Sequence, residues 1–262
     1  MKKLLFLALM TILWHSTLAY DFSAVAPSGQ TLFYNFVSGG VEVTYPNYVE
    51  YEEEFEVFVS YYYNYIKPLG NLTIPDSVSY NGNTYPVIAI GDHAFYECTG
   101  LTSLTIPNSI SSMGTRAFFG CNNIDLVNYN AVNCSYSSLD RPCNICCDSV
   151  PFGAFIGCHA SVVIGNSVQV IPSYLFFNCD NIMSVTISNS VTSIGKAAFY
   201  GCSGLTSLTI PNSVTSIGAW AFSGCSSIDS VYYNAENCSY VLDDVLDGVY
   251  LVLNAYLVVL NA

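Results

Sequence analysis

One pattern of apolar and polar positions recurs along most of the chain. It is anchored on six cysteines separated by 23, 37, 21, 23 and 23 residues: Cys98, Cys121, Cys158, Cys179, Cys202 and Cys225. A phenylalanine stands three residues before each of them, from Phe95 to Phe222. An aliphatic residue or methionine, followed by glycine or proline, begins eight residues before each cysteine. A unit of about 23 residues therefore repeats.

The segment after each cysteine has the alternation of a β-strand. Between Leu101 and Pro107, two leucines and an isoleucine alternate with serine and threonine, which predicts an apolar inner side and a polar outer side. The proline ends the strand because it has no N–H for the sheet. A unit this short cannot bury its own apolar side chains, so units must stack. We therefore predict a β-rich solenoid of about six coils with a parallel sheet.

The flanks of the repeats differ from them. Residues 20–70 alternate aromatic and polar side chains and predict an N-terminal β cap, whereas residues 71–240 form the solenoid with an insertion at 137–150. Asn81 and Gly82 predict a tight hairpin turn. Residues 241–262 depart from the pattern, and we interpret them as an atypical, truncated C-terminal tail.

The N-terminus has the pattern of an export signal. Lys2 and Lys3 precede an apolar run from Leu4 to Trp14 and small residues near position 19, so residues 1–19 predict a signal peptide and a secreted or cell-surface protein. Removing them leaves four basic residues against nineteen acidic ones. This charge disfavours nucleic acids and anionic membranes as partners. The apolar run in the tail, 249–259, is shorter than the ~20 residues of a membrane span.

The repeat itself resembles a known family. The segments LTSLTIPNSISSMGTRAF (101–118) and LTSLTIPNSVTSIGAWAF (205–222) are similar to the BspA-like, Treponema-type leucine-rich repeats of bacterial surface proteins, and the similarity covers about residues 72–240. The resemblance implies a leucine-rich-repeat solenoid. It also implies adhesion to an extracellular host protein or glycoprotein, such as fibronectin or fibrinogen, or to other cells.

The sequence contains little that indicates catalysis. His93 and His159 lie inside repeat units without a metal-binding pattern, and no nucleophile, phosphate or dinucleotide motif is present. We therefore predict that the protein is not an enzyme and has no cofactor or metal. The spacing of Cys143, Cys146 and Cys147 suits zinc or a redox pair, and in an exported protein a local disulfide is favoured over zinc.

The six cysteines of the repeat are a separate case. Stacked coils would place their Cα atoms ~4.8 Å apart, a distance that allows disulfides, but equivalent side chains in neighbouring coils point in parallel. Cysteine is also a good small buried apolar residue. We predict a row of buried free thiols.

The outer side of the sheet is the candidate ligand-binding surface. The predicted ligand-binding residues follow this side: Ser103, Thr105, Ser184, Thr186, Ser207, Thr209 and Tyr232. Two alternatives remain open. The near-identity of the exposed serines and threonines suits a structural spacer without its own ligand, and exposed tyrosines, including those at 61–63 and 65, would suit a carbohydrate-binding module.

Overall fold

The computed structural model describes residues 17–18, 20–53, 56–60, 62, 65–132, 134–136, 153–235 and 238–240. Most of the predicted signal peptide, the insertion with Cys143, Cys146 and Cys147, Tyr61, Tyr63 and the tail 241–262 lie outside these residues. The regular elements are β-strands: β1 (Thr17–Leu18), β2 (Phe22–Val25), β3 (Thr31–Val37), β4 (Gly40–Thr44), β5 (Asn47–Glu53), β6 (Glu56–Ser60), β7 (Gly70–Thr73), β8 (Ser77–Tyr80), β9 (Asn83–Ile90), β10 (Leu101–Ile106), β11 (Ser112–Met113), β12 (Leu126–Tyr129), β13 (Ser135–Tyr136), β14 (Ser161–Ile164), β15 (Val170–Ile171), β16 (Ser184–Thr186), β17 (Ser193–Ile194), β18 (Ser207–Ile210), β19 (Ser216–Ile217), β20 (Ser230–Tyr233) and β21 (Ser239–Tyr240). Within the described ranges, no helix has the length and apolar character that crossing a membrane requires.

The first side of each coil is the predicted parallel sheet, which confirms the solenoid. Strands β7, β10, β12, β14 and β16 are neighbours in that order, and β18 pairs with β20. Leu104 of β10 lies opposite Leu72 on one side and Val127 on the other, and all three side chains are buried. The inward side chains of successive coils therefore stack in rows.

The ladder of this sheet is interrupted once. Strand β16 lies next to β18, yet the two belong to separate hydrogen-bonded sheets. The backbone bond between their coils, from Thr206 N–H to Met183 O, is long at 3.5 Å. The spacing of 23 residues between Cys179 and Cys202 is the ordinary one, so no insertion explains the break.

Beyond β9, the second side carries two-residue strands that the sequence did not predict. Strands β9, β11 and β13 pair in parallel, as do β15, β17, β19 and β21. Threonine hydroxyls add bonds between coils: Thr192 Oγ1 donates to Gln169 O at 3.2 Å, and Thr215 Oγ1 donates to Thr192 O at 3.1 Å. These hydroxyls link consecutive coils and so have a structural role.

The third side contains left-handed residues four positions apart. In the second coil Arg116 has φ 53° and Gly120 has φ 71°, and the equivalent residues of the other coils, apart from Gly153, share this conformation. On this side N–H groups of one coil point towards carbonyls of the next: Phe95 N–H donates to Ala117 O, and Glu97 N–H to Phe119 O, both at 2.7 Å. Glycine recurs at the position of Gly120 because a β-carbon is costly in this conformation.

The core is a stack of the repeat phenylalanines. Ring centroids of Phe95, Phe118, Phe155, Phe176, Phe199 and Phe222 follow one another at 5.0, 5.1, 5.2, 5.2 and 5.4 Å. Four of the five neighbouring pairs are within 12° of parallel. The spacing matches the ~4.8 Å between strands, so a single repeat distance serves both backbone and rings.

The repeat cysteines lie beside this stack as buried free thiols, as predicted. Each of several thiols donates a hydrogen bond to the phenylalanine carbonyl of the preceding coil: Cys121 Sγ to Phe95 O at 3.0 Å and Cys202 Sγ to Phe176 O at 3.2 Å. Burial raises the pKa of both thiols well above the ordinary value. The thiols are thus structural and poorly reactive.

The N-terminal residues contact the first coil on its first side. Strand β7 is the outer strand of the parallel sheet, and a turn between β2 and β3 covers its edge. Gln30 Nε2 donates to Leu69 O at 2.7 Å and to Asn71 O at 2.8 Å, and Thr73 N–H donates to Ser28 Oγ at 3.1 Å. Side chains thus take the place of a neighbouring strand.

The other two sides of the first coil are also contacted. Strand β4 pairs in parallel with β9 on the second side and extends it into the antiparallel strands β3 and β2. On the third side the buried Tyr62 donates its hydroxyl to Ala94 O, and Lys67 Nζ donates to Glu97 O at 2.9 Å. Strands β8 and β9 form the predicted hairpin, with Asn81 and Gly82 at positive φ. That residues 20–70 act as a stabilising cap stays a prediction.

If the N-terminal turn stabilises the solenoid edge, Gln30→Ala will lower the free energy of unfolding by about 1 kcal/mol, because two carbonyls lose their donor. Exposed Gln169, whose backbone carbonyl makes the coil-to-coil bonds, provides the matched control Gln169→Ala. Urea unfolding followed by circular dichroism measures both. Equal stability of the two variants would show that the edge contact contributes nothing.

The thiol row predicts a pattern of chemical reactivity. In a variant with Cys143, Cys146 and Cys147 changed to serine, half-buried Cys238 will react first with a thiol reagent. The buried cysteines will react more slowly, on the order of a hundredfold, until denaturant is added. Intact mass after alkylation counts the modified thiols. An intact mass that is lower by two hydrogen atoms for each pair of cysteines, measured under non-reducing conditions, would reveal disulfides and contradict this assignment.

Candidate binding surface

The structure places all the predicted ligand-binding residues on strands of the first side. They lie on four strands: Ser103 and Thr105 on β10, Ser184 and Thr186 on β16, Ser207 and Thr209 on β18, and Tyr232 on β20. Thr209 is directly opposite Tyr232 in the register of β18 and β20. Because the strands are parallel and in register, the outward side chains form rows across the coils.

The two ends of this row differ in accessibility. Thr186, Ser207, Thr209 and Tyr232 are exposed, whereas Ser103, Thr105 and Ser184 are half-buried. Ser103 is already engaged within the chain, since its Oγ donates to Asn71 Oδ1 at 2.9 Å. The C-terminal half of the row is therefore the more accessible part of the candidate surface.

Two exposed apolar residues on this half were missed by the sequence analysis. Met183 is 51 % exposed and Val163 is 36 % exposed, close to the 46 % of Tyr232. Val163 lies directly opposite Thr186 in β16, and Met183 immediately precedes β16. Comparing the outward positions of the aligned repeats could have found them, because most other coils carry a polar residue there. We call Val163, Met183, Thr186, Thr209 and Tyr232 the sheet-face patch.

Acidic side chains lie at the entry of two strands beside the patch. Asp125 precedes β12 and Asp229 precedes β20, and both are exposed. Their backbones continue the sheet, since Asp125 N–H donates to Thr102 O and Asp229 N–H to Thr206 O, each at 2.9 Å. The backbones of both aspartates are therefore held at fixed positions relative to the patch, and their carboxylates are exposed to solvent.

The basic side chains that the structure describes lie elsewhere. Lys67 is bound to the carbonyl of Glu97 and lies 3.9 Å from its carboxylate. Arg116 and Lys196 lie over aromatic rings of the third side, with Lys196 Nζ 4.6 Å from the centroid of Trp220. The sheet-face patch consequently has acidic neighbours, and the basic groups are on another side of the coil.

The two histidines do not form a chemical site with other titratable groups. His159 is exposed before β14, whereas His93 is half-buried on the third side. Burial lowers the pKa of His93 to about 4, Asp92 opposes this shift, and Arg116 reinforces it. Within the residues that the structure covers, no group of three or more His, Cys, Asp or Glu side chains is arranged to hold a metal ion.

The tyrosines whose side chains the structure describes provide little accessible ring surface for a sugar. Tyr62 is buried and Tyr65 is half-buried. On the third side, Tyr96 stacks on Phe119 at 5.0 Å and 10°. Stacked rings cover each other's faces, which are the surfaces that a sugar would need. Tyr232 is the exposed tyrosine of the candidate surface.

The chain matches the model of a known protein family. The BspA type leucine rich repeat region matches residues 56–140 and 148–251, in six copies. The matched residues amount to well over half of the chain. Comparison with curated proteins finds no match.

Several solved structures are similar. A leucine-rich repeat protein from Bacteroides ovatus is 23 % identical, with a TM-score of 0.43, over 82 % of this chain and 54 % of its own. A leucine rich cell surface protein from Faecalibacterium prausnitzii is 21 % identical, with a TM-score of 0.40, over 82 % of this chain and 55 % of its own. The T. pallidum leucine rich repeat protein is 18 % identical, with a TM-score of 0.41, over 84 % and 78 %. The chain thus spans about half the length of the first two.

The lowered pKa of His93 predicts a loss of stability in mild acid. The unfolded chain takes up a proton near pH 6.5, whereas the folded chain does so near pH 4, so stability present above pH 6.5 is lost as the pH falls between these values. We expect a loss of about 1–2 kcal/mol after allowing for the partial exposure of the ring.

The measurement is urea unfolding at several pH values. His93→Gln will remove this part of the pH dependence, whereas exposed His159→Gln will retain it. Parallel pH profiles for His93→Gln and the unaltered chain would contradict the assignment.

Proposed function

Since the chain belongs to the BspA type leucine-rich-repeat family, we propose that it is a secreted or cell-surface protein that binds other macromolecules through its parallel sheet. The observation that carries the proposal is the sheet-face patch. There, Val163, Met183 and Tyr232 expose apolar surface in rows that otherwise consist mainly of small polar residues. Exposed apolar residues grouped on one face are typical of interaction sites. The proposal assigns the chain no catalytic role.

The rigidity of the coils supports such a role. The outward side chains project from a backbone that is bonded to its neighbours on three sides, except for the interrupted ladder between β16 and β18, so little conformational entropy is lost when a partner binds. A sheet surface of this kind is a preformed template. It selects partners by shape and by the few side chains that interrupt its polar rows.

The size of the sheet limits the affinity of a single chain. Seven strands spaced by ~4.8 Å span about 29 Å, and the outward rows are about 10 Å wide, which gives roughly 300 Å². A stable interface buries about 800 Å² per partner. One sheet therefore binds weakly, and adhesion would draw on neighbouring loops or on many copies at a surface.

Extracellular matrix glycoproteins are the partners that we propose to test first. Fibronectin and fibrinogen are accessible to an exported protein, and the predicted signal peptide at residues 1–19 supports export. The alternative role as a spacer is supported by a different observation. Several hydroxyls of the repeat, including those of Ser103, Thr192 and Thr215, are used inside the chain.

Thr209→Arg will weaken binding to immobilised fibronectin or fibrinogen at least about tenfold, because a long charged side chain at the centre of the patch blocks close contact. Thr31→Arg places the same side chain on an exposed position of β3 and will leave binding unchanged. Surface plasmon resonance with the chain from residue 20 measures both.

Three results would count against the proposal. Equal binding by Thr209→Arg and the unaltered chain would exclude the sheet as the surface. Equal loss in both arginine variants would indicate a charge effect unrelated to the sheet. Absence of binding to either protein would favour the spacer.

A further inference from the structure

The sheet-face patch has a geometry that restricts what it can bind, and this inference rests on the proposed function. Val163 is on β14 and Tyr232 is on β20, three strand positions away. At ~4.8 Å per strand, their rows are about 14 Å apart. An extended peptide rises about 3.3 Å per residue, so residues i and i+4 of a segment lying across the strands would reach both. Residues i and i+4 of an extended chain also lie on the same face.

The centre of the patch is polar. Thr186 and Thr209 lie between the two apolar positions, each directly opposite one of them in the strand register. Val163 has about the size of a threonine and differs from it in polarity, whereas Tyr232 at the other end also projects further, and Met183 lies at one margin. A segment lying across the strands would place apolar side chains against the two apolar positions and its backbone above the threonine hydroxyls.

The charges around the patch favour a positively charged partner. Asp125 precedes the strand next to that of Val163, and Asp229 precedes the strand of Tyr232 itself. Each aspartate is offset by three residues from the row of Val163 and Tyr232, which is about 10 Å along the strand and within reach of a long basic side chain. Among the residues described, the ion pair is that between Lys67 and Glu97, and neither aspartate takes part in it. The whole chain has a formal charge of −13, which extends the attraction for a cationic partner beyond contact distance.

The same charges disfavour the other occupants. A second copy of the chain would bring a like net charge to the surface, and the described Arg116 and Lys196 are already placed over aromatic rings. A nucleic acid or another polyanion would be repelled. A sugar would find one exposed tyrosine rather than a platform of several.

We infer that the sheet-face patch docks an extended, basic segment of a protein partner, with apolar side chains four residues apart against Val163 and Tyr232 and with Lys or Arg side chains near Asp125 and Asp229. Apolar contact provides the attraction at the centre. The two carboxylates determine the sign of the flanking charge and increase the rate of encounter.

Three dye-labelled ten-residue peptides test this inference, each with its key side chains on one face of the extended chain: Ser-Lys-Ser-Val-Ser-Ser-Ser-Val-Ser-Lys (the Val-Lys peptide), the same peptide with Glu in place of Lys (Val-Glu), and the same peptide with Ser in place of Val (Ser-Lys). Fluorescence anisotropy with the full chain measures their affinity. The Val-Lys peptide will bind at least about tenfold more tightly than either of the others, because it combines both features of the site. Its affinity will decrease as salt is added, since part of the attraction is electrostatic.

Variants of the chain locate the binding. Met183→Ser with Tyr232→Ser will weaken binding of the Val-Lys peptide about tenfold, and Asp125→Asn or Asp229→Asn will each weaken it about threefold. Exposed Asp76→Asn is the matched control and will leave the affinity unchanged. Circular dichroism confirms that each variant retains the fold.

The outcomes separate this inference from the proposed function. Equal binding of the Val-Lys and Ser-Lys peptides, or equal weakening by Asp76→Asn, would reveal non-specific attraction to an acidic protein and overturn the inference. Loss of fibronectin binding in Thr209→Arg together with no peptide binding would retain the proposed function and reject the basic segment. Tighter binding of the Val-Glu peptide than of the Val-Lys peptide would overturn the prediction that the partner segment is positively charged.

Discussion

The structure depends on hydrogen bonding between consecutive coils at a single repeat distance. No coil has enough apolar surface to fold alone, so each must match its neighbour in backbone register, ring position and thiol position together. The junction around the insertion shows how strong this requirement is. Cys121 and Cys158 are 37 residues apart instead of 23, yet Val127 pairs with Val162 and Cys158 Sγ donates to Phe118 O at 3.2 Å. Extra residues leave the register of the coils unchanged.

The sequence predicted those parts of the fold that have a readable period. The parallel strands follow from the alternation that begins at Leu101, and the buried thiols follow from their phase with the phenylalanines. The strands of the second side were missed because two residues are too few to show alternation. The ladder of the third side was missed because residues such as Arg116 adopt positive φ against the ordinary preference of their side chains. Neighbouring coils, rather than local propensity, determine that conformation.

The sequence predicted which face of the sheet forms the candidate surface, but it did not predict all the residues that are exposed there. Repetition draws attention to residues that recur, and some of these, such as Ser103, form hydrogen bonds within the chain. Met183 and Val163 stand out as departures from the repeat, and their exposure depends on the coil geometry. In a repeat protein the common residues describe the scaffold, and the exceptions distinguish one family member from another. The two sets therefore have to be compared coil by coil.

The third side also gives the solenoid a direction. Its N–H groups point towards the following coil and its carbonyls towards the preceding one, as in the bond from Phe199 N–H to Ala221 O. The first coil has its carbonyl edge covered by Tyr62 and Lys67, both of which precede it in the chain. A polypeptide that crosses a membrane from its N-terminus would therefore present each new coil with a completed template. If the chain is exported as proposed, translocation and folding can proceed in the same order, one coil at a time, without waiting for the C-terminus.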